Sequence, residues 1–212
     1  MLTRSIFAAA LLASTCSNSS FAQNLLANPG FEDGLTFEGE EFVGSWEGFS
    51  SLLDTFVGNS FNEPRNGVQH LELRINGRDN AFSGVFQDVP VTVGTEYVFG
   101  GWQKTPSTPF DVAVEMRIEW VNASGSVFLR TPNLTTKPTD SYASVSLSGF
   151  APPGAEFARL VYAIGSFGPE LTNTGTVFVD DMFFSVVPEP SSLGLFGFTA
   201  LALGRRSVLR RR

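Results

Sequence analysis

Between residues 23 and 187 apolar and polar side chains alternate with a period of two. Leu71, Leu73 and Ile75 alternate with His70, Glu72 and Arg74, and Tyr97, Phe99 and Gly101 alternate with Val98, Gly100 and Trp102. Val112, Val114, Met116, Ile118 and Trp120 interleave with Ala113, Glu115, Arg117 and Glu119, the cleanest such run in the chain. Ala143, Val145 and Leu147 alternate with serines. Ala158, Leu160, Tyr162 and Ile164 alternate with Phe157, Arg159, Val161 and Ala163, and Val177 and Val179 with Phe178 and Asp180. Successive side chains of a strand point to opposite faces, so each run predicts a strand with one greasy face. Asn76-Gly77, Pro90, Val93-Gly94 and Pro152-Pro153-Gly154 separate the runs as turns. One-faced strands bury their apolar sides by stacking two sheets, so the expected fold is an all-β antiparallel sandwich in a single domain, 23–187. A domain of that size buries about 70% of its unfolded surface and needs no disulfide staple.

The two ends read differently from the middle. Residues 1–22 have the layout of a signal peptide: Arg4 supplies a positive start, Ile6 to Ala13 an apolar run, and Ser20 and Ala22 bracket a cut before Gln23. That cut would also remove Cys16, the sole cysteine. Residues 188–212 open on Pro188, Glu189 and Pro190. An apolar stretch from Leu193 to Leu203 follows, shorter than the ~20 residues a spanning helix usually needs, and then Arg205, Arg206, Arg210, Arg211 and Arg212. Positive residues beside a hydrophobic segment stay cytoplasmic, which leaves the middle domain across the inner membrane. The Pro-Glu-Pro triplet, short hydrophobic helix and terminal arginine cluster, in that order at the C-terminus, resemble the PEP-CTERM sorting signal of Gram-negative bacteria. The resemblance implies processing by an exosortase, a transient stay in the inner membrane, and bacteria that make extracellular polysaccharide and biofilm.

Charge narrows the function. The chain has a formal net charge of -7, and with the termini set aside residues 23–187 hold eight basic against twenty acidic side chains. Such a surface argues against a nucleic-acid partner, which calls for a basic stripe. One histidine and one cysteine leave no room for a zinc finger or a disulfide framework. No Gly-x-Ser-x-Gly elbow, HExxH motif or Gly-rich phosphate loop occurs, and His70 reads as a surface histidine on a charged strand. No catalytic residue is therefore assigned.

Three segments resemble galactose-binding-like jelly rolls, a fold that includes several carbohydrate-binding modules. Asn24 to Gly34 is similar to their opening strand, Ser83 to Val91 followed by Gly94 to Phe99 to their paired central strands, and Phe178 to Met182 to their closing strand. The resemblance implies a jelly-roll sandwich with a structural Ca²⁺ where the first and last strands meet, held by Gly30, Glu32 and Asp180. Hard cations favour such oxygen ligands; ordinary strand-end carboxylates are the alternative.

If the alternating apolar set points inward, the opposite face carries Glu72, Arg74, Trp102, Glu115, Arg117 and Arg159. Trp102 among Glu115 and Arg117 offers a ring for stacking a sugar and charged groups for its hydroxyls. The competing reading is a solvated face of Glu–Arg pairs. Trp120 reads as packing, and Trp46 as either. The leading expectation is an exported surface or matrix protein that binds extracellular polysaccharide without catalysis, its partners being signal peptidase and exosortase. A structural or adhesive matrix protein and an extracellular glycan hydrolase or lyase are the alternatives.

Overall fold

The computed structural model describes residues 23–39, 45–106, 110–167 and 173–188. Among them ten strands run in chain order: β1 Glu47–Ser50, β2 Thr55–Ser60, β3 His70–Asn76, β4 Phe82–Pro90, β5 Glu96–Lys104, β6 Ala113–Val121, β7 Val127–Arg130, β8 Ala143–Phe150, β9 Phe157–Gly165 and β10 Thr174–Val186. They form two five-stranded antiparallel sheets. Sheet A has the order β1-β4-β9-β6-β7 and sheet B the order β2-β3-β10-β5-β8. The chain is an all-β jelly-roll sandwich. The expected signal peptide, 1–22, together with Glu189, Pro190 and the apolar and arginine segments beyond them, lies outside the described residues. Among the described residues no helix is long and apolar enough to cross a membrane.

The expected apolar faces meet between the sheets. Leu71, Leu73, Ile75, Phe99, Val114, Met116, Ile118, Leu160, Tyr162, Ile164, Val177 and Val179 are all buried in one cluster. Trp120 joins them. So does Trp46, which stacks on Phe31 with ring centroids 5.2 Å apart and donates its indole N–H to the Asn28 carbonyl at 2.9 Å. At the predicted turns Gly77, Gly94 and Gly154 have φ of 69°, 80° and 92°, the left-handed region glycine enters without penalty.

The segment expected as the opening strand, Asn24 to Gly34, is not a regular strand. Asn28 and Phe31 have φ of 46° and 56° around Pro29, so this stretch turns repeatedly. It nonetheless seals the lower half of β10. The Leu25 N–H donates to the Phe184 carbonyl at 2.7 Å, while the Asn24 side chain donates to the Met182 carbonyl and accepts from the Phe184 N–H, both at 3.0 Å. Residues 23–26 and 187 thus share one end of the sandwich.

β10 carries a bulge against β5. Asp180 pairs with Trp102 and Phe183 with Gly100, so Asp181 and Met182 together face Gly101. A Cβ on Gly101 would collide with the Met182 sulfur, and one on Gly100 with the Phe183 ring. The glycine pair makes room for the extra residue.

Candidate functional site

The residues expected on one face divide between two. Glu115 and Arg117 on β6 and Arg159 on β9 lie on the outer face of sheet A, whereas Glu72 and Arg74 on β3 and Trp102 on β5 lie on the outer face of sheet B. Trp102 is therefore not among Glu115 and Arg117; the whole core separates them. Alternation fixes whether a side chain points in or out, but not which sheet its strand joins.

On sheet A the charges are consumed by one another. Arg117 donates from Nε to Glu119 at 2.6 Å and from Nη1 to Glu115 at 2.9 Å. Arg159 grips both oxygens of Asp88 at 2.8 and 2.9 Å and lies 4.5 Å from the Phe86 ring centroid. On sheet B, Glu72 and Arg74 pair at 3.6 Å beyond β10, with Arg74 5.3 Å from the Phe56 centroid. All five charged side chains expected at the site thus fit the reading of interleaved ion pairs on strand faces.

Trp102 stands in a different setting. It is half-buried, and its cross-strand partner on β8 is Ser144, followed by Ser146 opposite Gly100 and Ser148 opposite Val98. The three serines are exposed. Phe183, half-buried, places its ring over Gly100, one outward position along β5 from Trp102. Two half-buried aromatic rings and a rail of exposed hydroxyls therefore occupy neighbouring positions on the outer face of sheet B. Phe183 was not among the expected site residues; the Gly100-Gly101 pair inside a strand was the signal available for it.

The β2–β3 connection, residues 61–69, folds over this face from the other side as a strap. Glu63 accepts from the Lys104 ammonium at 2.6 Å, a pairing that holds the Glu63 carboxyl below its ordinary range. The Arg65 guanidinium lies 3.9 Å from the Trp102 ring centroid and pairs with Asp181. His70, expected at the surface, is fully buried where the strap rejoins β3, 4.2 Å from the Phe178 ring. Neither ring nitrogen has a hydrogen-bond partner. Burial first, and then the Lys104 charge, lower its pKa to about 4.

Of the residues expected to hold a metal, Gly30 and Asp180 lie together, while the Glu32 carboxylate turns toward the Val68 and Gln69 N–H groups. The position of a Cβ on Gly30 would lie 3.8 Å from both Asp180 Oδ1 and Glu32 Cγ. Asp180 is fully buried and accepts N–H bonds from Arg65 (2.8 Å), Asn66 (3.2 Å) and Asp181 (2.7 Å). Burial nevertheless raises its carboxyl above the ordinary value. Glu32 accepts from the Val68 N–H at 3.0 Å and the Gln69 N–H at 3.3 Å. No Lys or Arg side chain forms a salt bridge with either carboxylate among the described residues. No cluster of three or more His, Cys, Asp or Glu is present there either. Carboxylate oxygens are the donors a hard cation favours, and five main-chain N–H groups already bond these two.

Comparison with known proteins agrees with this architecture. Residues 186–212 match the PEP-CTERM protein-sorting motif. No curated protein matches the sequence. Among solved structures, the enzymatically active domain of Bacteriophage CBA120 tailspike protein 4 is similar with a TM-score of 0.59 at 15% identity, over 77% of this chain and 21% of that one. This chain thus spans about a fifth of the tailspike chain. The CBM22-1 xylan-binding domain of Paenibacillus barcinonensis Xyn10C is similar with a TM-score of 0.55 at 17% identity, over 79% of this chain and 97% of that one. TmCBM61, solved with β-1,4-galactotriose, gives a TM-score of 0.52 at 14% identity, over 78% and 100%. At such identities the likeness concerns the fold, a carbohydrate-binding-module type of jelly roll.

Proposed function

We propose that this chain is an exported, non-catalytic carbohydrate-binding protein of the bacterial surface. In this reading residues 1–22 are cut by signal peptidase, 23–187 fold outside the inner membrane, and 188–212 are processed by an exosortase after a transient stay in that membrane. The PEP-CTERM match supports the export and sorting; the fold likeness to carbohydrate-binding modules supports the ligand class.

One observation carries the site. Trp102 and the Phe183 ring, which lies over Gly100, occupy successive outward positions of sheet B beside the exposed Ser144, Ser146 and Ser148. Flat rings take the C–H faces of a pyranose, and hydroxyls at the rim take its polar edge. The ligand is a neutral polysaccharide, since the acidic domain repels anionic polymers. Gly30, Glu32 and Asp180 would hold a Ca²⁺ ion whose role is structural: it would neutralise two carboxylates and tie the 23–36 segment to β10.

Affinity electrophoresis and calorimetry against soluble xylan and β-1,4-galactan test the reading. Trp102→Ala should weaken binding at least about tenfold, a loss of one aromatic stacking contact. Absence of binding to either polymer, or binding indifferent to Trp102, argues against it. A second reading, adhesion through protein contacts, is favoured by the exposed leucines of the β1–β2 turn, Leu52 at 83% and Leu53 at 61%, at the end of the sandwich opposite residues 23–26 and 187. Self-association abolished by Leu52→Ser would support it.

A further inference from the structure

Trp102 is held from behind. The strap brings Arg65 across β10: its backbone N–H donates to Asp180 Oδ2 at 2.8 Å, and Asp180 is the residue paired with Trp102 in the β10–β5 register. From there the guanidinium lies 3.9 Å from the indole centroid while Nη1 donates to Asp181 Oδ2. Asn66 Nδ2 donates to that same oxygen at 2.6 Å. Asp181 is the bulge residue, with φ of 47°, a left-handed conformation uncommon for a residue with a side chain. The bulge therefore places its carboxylate where it anchors the arginine. On the other side of Trp102, its partner on β8 is Ser144, small and exposed.

From this arrangement we infer that Arg65 is the positioning residue of the sugar platform: it clamps the indole on the strap side and leaves the face toward β8 free. The inference rests on the reading of Trp102 as the stacking ring. An indole already fixed loses little freedom when a ligand settles on it, so the clamp raises affinity without touching sugar. The residue type matters. A planar guanidinium stacks on a ring and keeps its N–H fork on a carboxylate at once, whereas an ammonium on a flexible stem does not. The strap is pinned independently at Glu63–Lys104 and at Glu32–Val68, so it stays in place when the Arg65 side chain is changed.

The three tryptophans make the clamp measurable. Trp46 and Trp120 are buried in the core, which leaves Trp102 as the one within reach of a quencher. Acrylamide quenching of the full chain should rise about twofold in Arg65→Ala, in Arg65→Lys and in Asp181→Asn, as the stacked cation leaves the ring. Binding of xylan or galactan should fall about tenfold in the same variants, about 1.4 kcal/mol. Unchanged quenching in Arg65→Ala overturns the clamp. So does an affinity that rises in that variant, because Arg65 would then be a lid over the ring. If the unaltered chain binds neither polymer, the carbohydrate reading falls, and the quenching comparison still decides whether Arg65 holds Trp102.

Discussion

The Tyr162 hydroxyl donates to the Gln103 side-chain carbonyl at 2.5 Å, joining β9 of sheet A to β5 of sheet B through the middle of the core. Both residues are buried. Burial drives the Tyr162 phenol far above its ordinary pKa, so it remains a donor at every pH the fold survives. Gln103 in turn donates from Nε2 to the Thr136 carbonyl at 3.0 Å, which fixes the orientation of its amide. The tie sits one residue along β5 from Trp102 and holds that strand at a set depth.

Tyr162→Phe should therefore cost about 1–3 kcal/mol, because it strands the Gln103 carbonyl oxygen without a donor in a dry interior. Tyr162→Phe together with Gln103→Leu should cost less than the sum of the two single changes. Urea denaturation of the four proteins measures the coupling; strictly additive effects would show that the bond contributes nothing.

The strands most open to reading were those with a single greasy face. Val114, Met116, Ile118 and Trp120 alternate without exception, and β6 lies as they imply. β1, β2 and β7 gave no comparable signal. β1 has four residues, β2 is half-buried along most of its length, and β7 is exposed at every position. The site was harder to see for two physical reasons. A period of two carries no record of sheet membership, so Trp102 and Arg117 looked like neighbours although β5 and β6 belong to different sheets. The strap from 61 to 69 has no periodicity at all, yet it buries His70 and Asp180 and brings Arg65 to Trp102.

His70 makes stability depend on pH. Its folded pKa, about 4, lies below the ordinary 6.5, so the folded state favours the neutral ring. Its contribution is complete above the ordinary value and is lost as pH falls from 6.5 toward 4. The groups facing it are Lys104, which opposes protonation, and Glu63, which favours it. The loss should reach about 3 kcal/mol for a ring held out of water. Asp180, with its raised carboxyl, works in the opposite direction, so the comparison must be made against His70→Leu. Denaturation midpoints at pH 7 and pH 4.5 should differ more in the native chain than in that variant; equal differences would remove His70 as the cause.

Gly100 couples stability to the aromatic platform. A Cβ there would meet the Phe183 ring and would come within 2.7 Å of the Val145 carbonyl on β8. The ring can swing away, but the backbone carbonyl cannot without disturbing the β5–β8 ladder. Gly100→Ala should thus destabilise by about 1–3 kcal/mol, the usual cost of overpacking. It should also weaken polysaccharide binding, since the Phe183 ring would be pushed from its place over Gly100, the outward position next to Trp102. Full affinity in a folded Gly100→Ala chain would take Phe183 out of the site.

Glu32 and Asp180 give the cation its test. Asp180 lies against Gly30 and the Glu32 carboxylate turns toward the strap, neither with a basic partner among the described residues, and Asp180 is uncharged more readily than an ordinary aspartate because burial disfavours its anion. A bound Ca²⁺ reverses that balance, since a cation stabilises the ionised form. At a free concentration a hundred times its Kd it adds about 2.7 kcal/mol to folding. Excess chelator should consequently lower the Tm of the native chain, and added Ca²⁺ should restore it. Mg²⁺ should do so poorly, because it demands tighter octahedral geometry and gives up its waters reluctantly. Asp180→Asn should melt lower and respond to neither treatment. A native chain whose melting ignores both chelator and Ca²⁺ would mean that the backbone N–H groups of Arg65, Asn66, Val68 and Gln69 hold these carboxylates unaided.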